Sequence, residues 1–435
     1  MARPQEKFKL SRYNVFHQVG DMQYMWNTYT GALLKLDQAA QEYVKSFSGD
    51  DDNSIEFRLL KDNGFVVCQQ LDEYGRVLIE EKQGLFNPNS DHLHIVIVPG
   101  MGCNYRCSYC FESKSDLTGI MTPEIAVDVA EYVCEQMQSN SNIKSLQVIW
   151  FGGEPLLYVD TMENISRKII EYTQKNGIKY SAWMVTNGRF LDKDTLERLK
   201  AIVVEKAQIT VDGLCDVYCK SKGASPDDFE IVIDNICHTV EKGGLGISLN
   251  ILNNNATEAI RITDYLLKQR NLIGKIQVFF HQILDYCQPP DISKPEYDDY
   301  INNFFQWANY MIEEYGLSEI KHMFRKRKTT ACELVKVNNV CIGPRGEIYK
   351  CFRHAGVEPM IMGDIWGSRY FNEAESVFYS SVDDPAKQEC SKCECLPLCM
   401  GDCQAFRVNK FERYNCEAHK KTMLKLKLLE GGVSI

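Results

Sequence analysis

The chain has 435 residues, of which 44% are hydrophobic and 25% charged, and its formal net charge at pH 7 is −10. These values are typical of a globular protein of two or three domains, and the acidic balance argues against nucleic-acid binding, which usually needs a basic face. No run of about 18 apolar residues predicts a membrane span, and the N-terminus lacks the apolar core of a signal peptide, so we expect a cytoplasmic protein.

Cysteine is the unusual component of the composition. The chain has 18 cysteines, and half of them lie between Cys332 and Cys416. Secreted disulfide scaffolds are usually small, whereas this chain is long and shows no signal peptide. The cysteine content therefore predicts metal-binding or catalytic thiols rather than disulfides.

Residues 1–92 predict a small α+β module. Residues 24–47 begin with a strand-like stretch, turn at Gly31 and continue with the pattern of an amphipathic helix. The apolar residues of that pattern fall near one helical face: Leu33, Leu34, Leu36, Ala40, Tyr43 and Val44. A further strand is predicted within "NGFVVCQQ", and the Asn, Pro and Ser residues of 86–93 predict a linker.

Residues 93–300 alternate apolar, β-branched runs with stretches long enough to form helices. Six such runs begin at His94, Ser145, Ser181, Ala207, Gly246 and Lys275. Strands that alternate with helices predict βαβ units and a parallel sheet, so the fold class is α/β, a partial (β/α)6 barrel of the TIM type. Functional residues in such folds lie at the carboxyl ends of the strands.

A loop directly after the first of these strands contains Cys103, Cys107 and Cys110 in a C-x3-C-x2-C spacing, with Tyr109 inside the second gap. Three thiolates can hold one metal centre. Iron–sulfur cubanes usually take four cysteines, so a set of three leaves one iron open to another ligand. A zinc ion with three protein ligands and an open position is the alternative, and three buried structural cysteines are another.

This loop resembles that of the radical S-adenosylmethionine (SAM) enzymes. The resemblance implies a [4Fe-4S] cluster that binds SAM and cleaves it to a 5′-deoxyadenosyl radical, which abstracts hydrogen from a substrate. The stretch "GGEP", formed by Gly152, Gly153, Glu154 and Pro155, matches the glycine-rich motif of that family. The glycines allow a close backbone approach, and Glu154 is expected to accept from the SAM ammonium group.

The same resemblance implies further residues of a SAM pocket, although each of them is also explained by a turn or a cap. They are Thr186 and Asn187 of "VTNG", Thr210 and Asp212 of "TVDG", and Asn250 of "SLNIL". Relatives often place a His and an Arg downstream of the Asp-Gly pair, but this chain has Cys215, Cys219 and Lys220 there. The sequence therefore identifies no carboxylate-binding arginine and no catalytic acid or base.

The C-terminal cysteines, within residues 301–435, resemble the SPASM extension of radical SAM enzymes, which binds two auxiliary iron–sulfur clusters. The resemblance implies three [4Fe-4S] clusters in all. By the family pattern, the first auxiliary cluster takes Cys332, Cys351 and Cys403, with Cys341 as the natural fourth ligand. The second takes Cys390, Cys393, Cys399 and Cys416, which leaves Cys395 as a free thiol. Zinc staples are the alternative for this region.

Together these resemblances predict an oxidoreductase that modifies a ribosomally made precursor peptide by a thioether or carbon–carbon cross-link. Residues 1–92 resemble a leader-recognition module of the RRE type, with a winged-helix fold, although a structural extension of the barrel is the alternative. Expected partners are a precursor peptide with its leader and a reductant such as flavodoxin or ferredoxin. Alternative functions are sulfatase maturation through formylglycine and, outside enzymes, electron transfer by a protein with several clusters.

Overall fold

The computed structural model describes residues 6–51, 53–87, 90–115, 117–281, 294–367, 385–401, 403 and 416–433. The strands are β1 (Phe8–Leu10), β2 (Asn14–Val19), β3 (Met22–Asn27), β4 (Leu33–Leu36), β5 (Val66–Cys68), β6 (His92–Ile97), β7 (Ser145–Trp150), β8 (Lys179–Thr186), β9 (Val204–Thr210), β10 (Gly246–Leu252), β11 (Ile276–His281), β12 (Val340–Ile342), β13 (Glu347–Tyr349) and β14 (Gly363–Asp364). The α-helices are α1 (Gln38–Ser46), α2 (Ile55–Asp62), α3 (Glu73–Leu85), α4 (Pro123–Ser139), α5 (Val159–Lys175), α6 (Lys193–Ala201), α7 (Cys215–Lys222), α8 (Pro226–Lys242), α9 (Ala256–Asp264), α10 (Lys294–Tyr315), α11 (Leu396–Cys399) and α12 (Cys416–Glu430).

The centre of the molecule is a nine-stranded sheet in the order β11-β10-β9-β8-β7-β6-β12-β13-β14. Strands β6 to β11 run parallel, with helices in the connections between them. They correspond to the six apolar runs of the sequence, so the predicted parallel α/β arrangement is confirmed and is consistent with a partial barrel. Because the strands are parallel, the loops that follow them gather at one edge of the sheet.

Both faces of this sheet are apolar, as expected for strands covered on each side. In β6 and β7, Ile95, Ile97 and Val148 pack into the large core shared with the helices. The alternate residues Val96 and Ile149 pack into a second core, which lies on the opposite face. Successive side chains of a strand point to opposite faces of the sheet. One set therefore packs in the helix-facing core and the other in the interior of the partial barrel.

Part of the C-terminal segment extends the same sheet. Strand β12 pairs in parallel with β6, with Cys341 opposite Val96, and β13 and β14 follow antiparallel. Cys341 therefore points into the interior core together with Val96. The C-terminal segment also contains the helices α10 and α12.

The N-terminal segment contains the three-stranded antiparallel sheet β2-β3-β4 and the strand pair β1-β5. The predicted amphipathic helix is wrong in its first turn, because residues 33–36 form β4 and pair with β3. The helix begins only after Asp37, whose carboxylate accepts the Ala40 N–H at 2.8 Å and caps it. The strand predicted in "NGFVVCQQ" is β5, and part of the predicted linker, residues 88–89, lies outside the described residues.

Among the helices of the described ranges, none combines the length and the apolarity that a membrane crossing requires.

Candidate functional site

The three-cysteine loop follows β6 and ends in a short 3-10 helix, Phe111–Lys114. The pKa of Cys107 is raised to about 11, chiefly by burial; the Lys222 charge opposes this shift, and charges on Asp212, Cys110 and Cys103 contribute to it. The pKa of Cys103 is also raised, chiefly by burial, and the charge on Cys110 adds to this shift. The three thiols therefore lie close enough to influence one another, and they must release protons to ligate iron.

Hydrogen bonds fix this loop to the end of α7. The backbone N–H groups of Arg106 and Ser108 donate to the carbonyls of Lys222 at 3.0 Å and Ser221 at 2.9 Å. Within the loop, the Arg106 guanidinium donates to the Cys103 carbonyl at 2.7 Å. The spacing of the cysteines is thus held by contacts with a helix more than 100 residues away in the chain.

The glycine-rich motif packs directly against the same loop. The Glu154 N–H donates to the Gly102 carbonyl at 2.9 Å, and the Gly153 N–H donates to the Gly100 carbonyl at 3.3 Å. A Cβ on Gly152, which has a φ of +120°, would lie 2.5 Å from the Gly100 oxygen, and one on Gly153 would overlap the carbonyls of the loop. Glycine at these two positions therefore lets the backbone of this motif lie directly against the backbone of the cysteine loop.

Glu154 is fully buried and joins the ends of β7 and β8. Its Oε1 accepts the Leu156 N–H at 2.9 Å and the Thr186 hydroxyl at 2.7 Å, and its Oε2 accepts the Asn187 N–H at 2.7 Å. Burial raises the pKa of this carboxyl, and the three donors oppose that shift. Pro155 then begins the short helix Pro155–Tyr158.

Asn187 connects these loops to the cysteines. Its amide donates to Asn104 Oδ1 at 2.8 Å and lies 3.9 Å from Cys103 Sγ. The predicted residues of "GGEP" and "VTNG" and the first cysteine are therefore brought together by direct hydrogen bonds. Thr210 and Asn250 lie opposite each other in the register of β9 and β10, at the same edge of the sheet.

Asp212 lies just beyond β9, is fully buried and holds a polar cluster. The Tyr109 hydroxyl and the Ser221 hydroxyl donate to its carboxylate, and the Asn253 amide donates to its backbone carbonyl at 2.8 Å. Tyr109, the aromatic residue of the cysteine motif, thus has a polar partner in the loop that follows β9.

Lys222 is a site residue that the sequence reasoning missed. Its side chain is buried, its Nζ lies 3.6 Å from Asp212 Oδ2, and it donates to the Tyr109 hydroxyl at 2.5 Å. Helical periodicity could have identified Lys222, because residues four apart share a helix face and Lys222 lies four residues after the buried Tyr218. Lys220, by contrast, is exposed. Cys215 and Cys219 lie one turn apart on the same helix, with sulfurs at 3.8 Å.

The proposed ligands of the first auxiliary cluster interact electrostatically in the structure. Burial raises the pKa of Cys351 to about 12, and charges on Cys403 and Cys332 contribute to the same shift. The pKa of the fully buried Cys341 is raised by burial and then by a charge on Cys351. The structure therefore gathers the three cysteines of the family pattern, together with Cys341, in one region.

The next set of cysteines surrounds α11 and the 3-10 helix that precedes it. The Cys393 N–H donates to the Cys390 carbonyl at 3.1 Å, and the Cys399 N–H donates to the Cys395 carbonyl at 3.2 Å. The Cys395 thiol donates to Cys393, which lowers the pKa of Cys393 to about 6. Cys395, predicted to be a free thiol, is buried and has this sulfur neighbour. Cys416 begins α12.

The donor chemistry of these sets fits iron–sulfur clusters, because their predicted ligands are all thiols. Across the described ranges, no three Cys, His, Asp or Glu side chains converge tightly enough to hold a single metal ion. A cubane spreads its cysteine ligands over several irons, so such a set need not converge on one point. The fit therefore rests on cysteine type, with electrostatic proximity within the three-cysteine loop and among the proposed ligands of the first auxiliary cluster.

Comparison with known proteins matches residues 97–255 to the family model of the Radical SAM superfamily, so this part of the chain is similar to a radical SAM domain. The C-terminal cysteines lie outside that match. The radical SAM cyclopropyl synthase TigE of Paramaledivibacter caminithermalis is 28% identical over 183 residues, which cover 38% of this chain and 38% of TigE. The chain thus matches about two fifths of the length of that relative.

A second relative, the AdoMet-dependent heme synthase of Methanosarcina barkeri, is 22% identical over 328 residues, which cover 70% of this chain and 88% of that protein. Among solved structures, native anSMEcpe with bound AdoMet superposes with a TM-score of 0.59 at 19% identity. That superposition covers 79% of this chain and 100% of the other, and it shows a shared fold.

Proposed function

We propose that this chain, which carries a radical SAM domain over residues 97–255, is a maturase that cross-links a ribosomally made precursor peptide. The observation that carries the proposal is the contact between the cysteine loop and two other loops at the same sheet edge. Asn187 bonds to Asn104 beside Cys103, and Glu154 bonds to both the loop backbone and Asn187. Electron-transfer proteins need no such arrangement around a cluster that lacks one ligand.

Cys103, Cys107 and Cys110 would hold a [4Fe-4S] cluster, which would supply the electron for reductive cleavage of SAM. The chain's own residues orient the cofactor around it. We assign Asn187, Thr210 and Asn250 to the pocket, at the carboxyl ends of β8 to β10. The buried Lys222 is already paired with Asp212 and Tyr109, so it fixes the cysteine loop at this edge rather than replacing the arginine that the sequence does not supply.

The interior of the partial barrel supports a dry reaction space. The rings of Phe111 and Phe151 stack with centroids 6.3 Å apart, and Phe151 packs on Phe352 at 4.5 Å. These rings share an apolar core with Cys341. An apolar wall between the SAM-binding loop and the proposed first auxiliary cluster would exclude water and protect a carbon radical.

One feature supports the proposed bond formation, and a second supports a peptide substrate. TigE, a relative of the radical SAM region, is named a cyclopropyl synthase, which is consistent with carbon–carbon bond formation. The N-terminal segment also presents a small antiparallel sheet, β2-β3-β4, and an extended leader can join such a sheet as an added strand. We further propose two auxiliary clusters that accept the electron released by cross-linking, and a flavodoxin or ferredoxin as reductant.

The first experiment measures SAM cleavage by anaerobically reconstituted protein with dithionite. We expect 5′-deoxyadenosine from the wild type and none from a Cys103/Cys107/Cys110→Ala triple variant. The matched control is Cys134→Ala, a cysteine of α4 outside the proposed ligand sets, which should retain activity. Absence of 5′-deoxyadenosine from an iron-loaded wild type would refute the radical SAM assignment.

The second experiment tests the substrate class. A precursor peptide deuterated at its Cα and β positions should transfer one deuterium to 5′-deoxyadenosine and lose two hydrogen atoms in all, one of them that deuterium. Formylglycine in a sulfatase-derived peptide would instead support the sulfatase-maturing alternative. Turnover of a tetrapyrrole, the substrate class suggested by the name of the heme synthase relative, would contradict a peptide maturase.

A further inference from the structure

The N-terminal sheet β2-β3-β4 has two apolar faces with different partners. Met25, Leu34 and Leu36 pack with α1 and α2 within the N-terminal segment itself. Val15, Trp26 and Leu33 are direct neighbours in register and so share the opposite face. That face packs against side chains of α11 and α12, namely Leu398, Met423, Leu424 and Leu428.

This second face borders the cysteines proposed for the second auxiliary cluster. Cys395 is buried in the same apolar cluster as Trp26, and Cys393 lies against that cluster. Two hydrogen bonds hold the backbone of the cysteine segment to the N-terminal segment. The Thr28 hydroxyl donates to the Glu394 carbonyl, and the Arg12 guanidinium donates to the Ser391 carbonyl.

Trp26 carries an unexplained polar atom at this boundary. The side chain is 1% exposed, and its indole N–H has no acceptor within the part of the chain that the structure describes. Neither the Cys393 sulfur nor the Cys395 sulfur accepts it. Burying a hydrogen-bond donor without an acceptor costs free energy of folding. Because the Trp26 N–H lies beside a set of thiols, it indicates that a bound group supplies the acceptor.

We propose that Trp26 donates its indole N–H to a sulfide of the auxiliary cluster held by Cys390, Cys393, Cys399 and Cys416. The N-terminal sheet is then one wall of that cluster site, and Trp26 is a positioning residue rather than a ligand. A hydrogen bond to sulfur stabilises the more negative, reduced cluster and raises its reduction potential. The inference rests on the auxiliary cluster of the proposed function.

The test compares the midpoint potential of this cluster in Trp26→Phe with the wild type, by redox titration followed by electron paramagnetic resonance. Phenylalanine keeps an aromatic ring in the core and removes the donor together with part of the indole volume, a loss of volume that the control variant shares. We expect unchanged iron content and a potential lower by about 59 mV, equivalent to a tenfold change in a one-electron equilibrium. Trp150→Phe is the matched control, because the Trp150 N–H is also buried without an acceptor in the described residues but belongs to the helix-facing core.

Equal potentials in Trp26→Phe and the wild type would overturn the proposal. A second measurement uses the wild type and so does not depend on a variant that folds. In protein with ¹⁵N-indole tryptophan, the reduced cluster should show a ¹⁵N hyperfine coupling that disappears in Cys390→Ala/Cys393→Ala. Absence of the coupling, or a coupling that survives loss of those cysteines, would refute the hydrogen bond.

The failure of this inference is distinguishable from failure of the proposed function. If Cys390→Ala/Cys393→Ala loses no iron, no cluster exists at this site and the Trp26 proposal is wrong. SAM cleavage, which depends on Cys103, Cys107 and Cys110, would then still support a radical SAM enzyme. Conversely, a wild type that does not cleave SAM would refute the proposed function, although it could still bind the auxiliary cluster.

Discussion

The Tyr109 hydroxyl lies 3.0 and 2.9 Å from the two carboxylate oxygens of Asp212, which joins the cysteine loop after β6 to the end of β9. Lys222 completes this buried group by donating to the same hydroxyl at 2.5 Å. Removing one partner of a buried charge is strongly destabilising, so Asp212 and Lys222 depend on these contacts. The aromatic position of the cysteine motif therefore connects the cysteine loop to the end of β9.

Tyr109→Phe should weaken this connection. We expect the free energy of unfolding to fall by about 1–3 kcal/mol, because the Asp212 carboxylate loses a buried donor. SAM cleavage should slow as well, because the cysteine loop loses its link to β9. The measurements are denaturant unfolding and the rate of 5′-deoxyadenosine formation. Tyr105→Phe, in the same loop, is the control and should have the smaller effect on cleavage. Equal rates for Tyr109→Phe and the wild type would contradict this role.

Gly153→Ala should prevent assembly of the SAM-binding cluster. The added methyl group would overlap the backbone carbonyls of Met101 and Gly102, so the cysteine loop would have to move. Iron analysis after anaerobic reconstitution should show a loss of about four irons, one cubane's worth. Gly246→Ala is the matched control, since its nearest neighbour would be a carbonyl oxygen at an ordinary 3.6 Å. Full iron loading of Gly153→Ala would show that the loop tolerates the displacement.

Cys341→Ala tests whether the buried cysteine of β12 completes the first auxiliary cluster. If Cys341 is a ligand, iron should fall from about 12 toward about 8 per chain, at four per cubane. SAM cleavage without peptide should persist, because the three-cysteine loop is unchanged. Cys237→Ala, on α8, is the control for loss of a partly buried thiol. An iron content that stays at about 12 would leave the first auxiliary cluster with an open iron.

His94 should make stability depend on pH. Burial lowers the pKa of His94 from 6.5 to about 4, so the unfolded chain binds more protons than the folded chain between these values. The free energy of unfolding therefore falls as the pH falls, by about 1.4 kcal/mol from pH 7.5 to 5.5 for this group. The difference in stability between the wild type and His94→Gln should shrink by that amount. A pH-independent difference would show that His94 does not carry the effect.

Much of the fold was predictable because its signals are local in the chain. The six β-branched runs reappear as β6 to β11, since a buried strand needs an unbroken apolar run whatever surrounds it. The prediction of a first helical turn in the N-terminal segment was wrong because the local signal there was ambiguous. Apolar residues at 33, 34 and 36 suit either a helix face or a strand, and pairing with β3 decided between them.

The proposed chemistry could be predicted from the sequence alone, because Cys103, Cys107 and Cys110 lie within one short segment and the "GGEP" motif within another. Tertiary structure decided which distant groups serve that chemistry. It brought Lys222, rather than Lys220, to Asp212, and it packed Trp26 beside cysteines more than 360 residues later. Such pairs depend on strand order and helix packing, and no periodicity within one segment encodes a contact between segments so far apart.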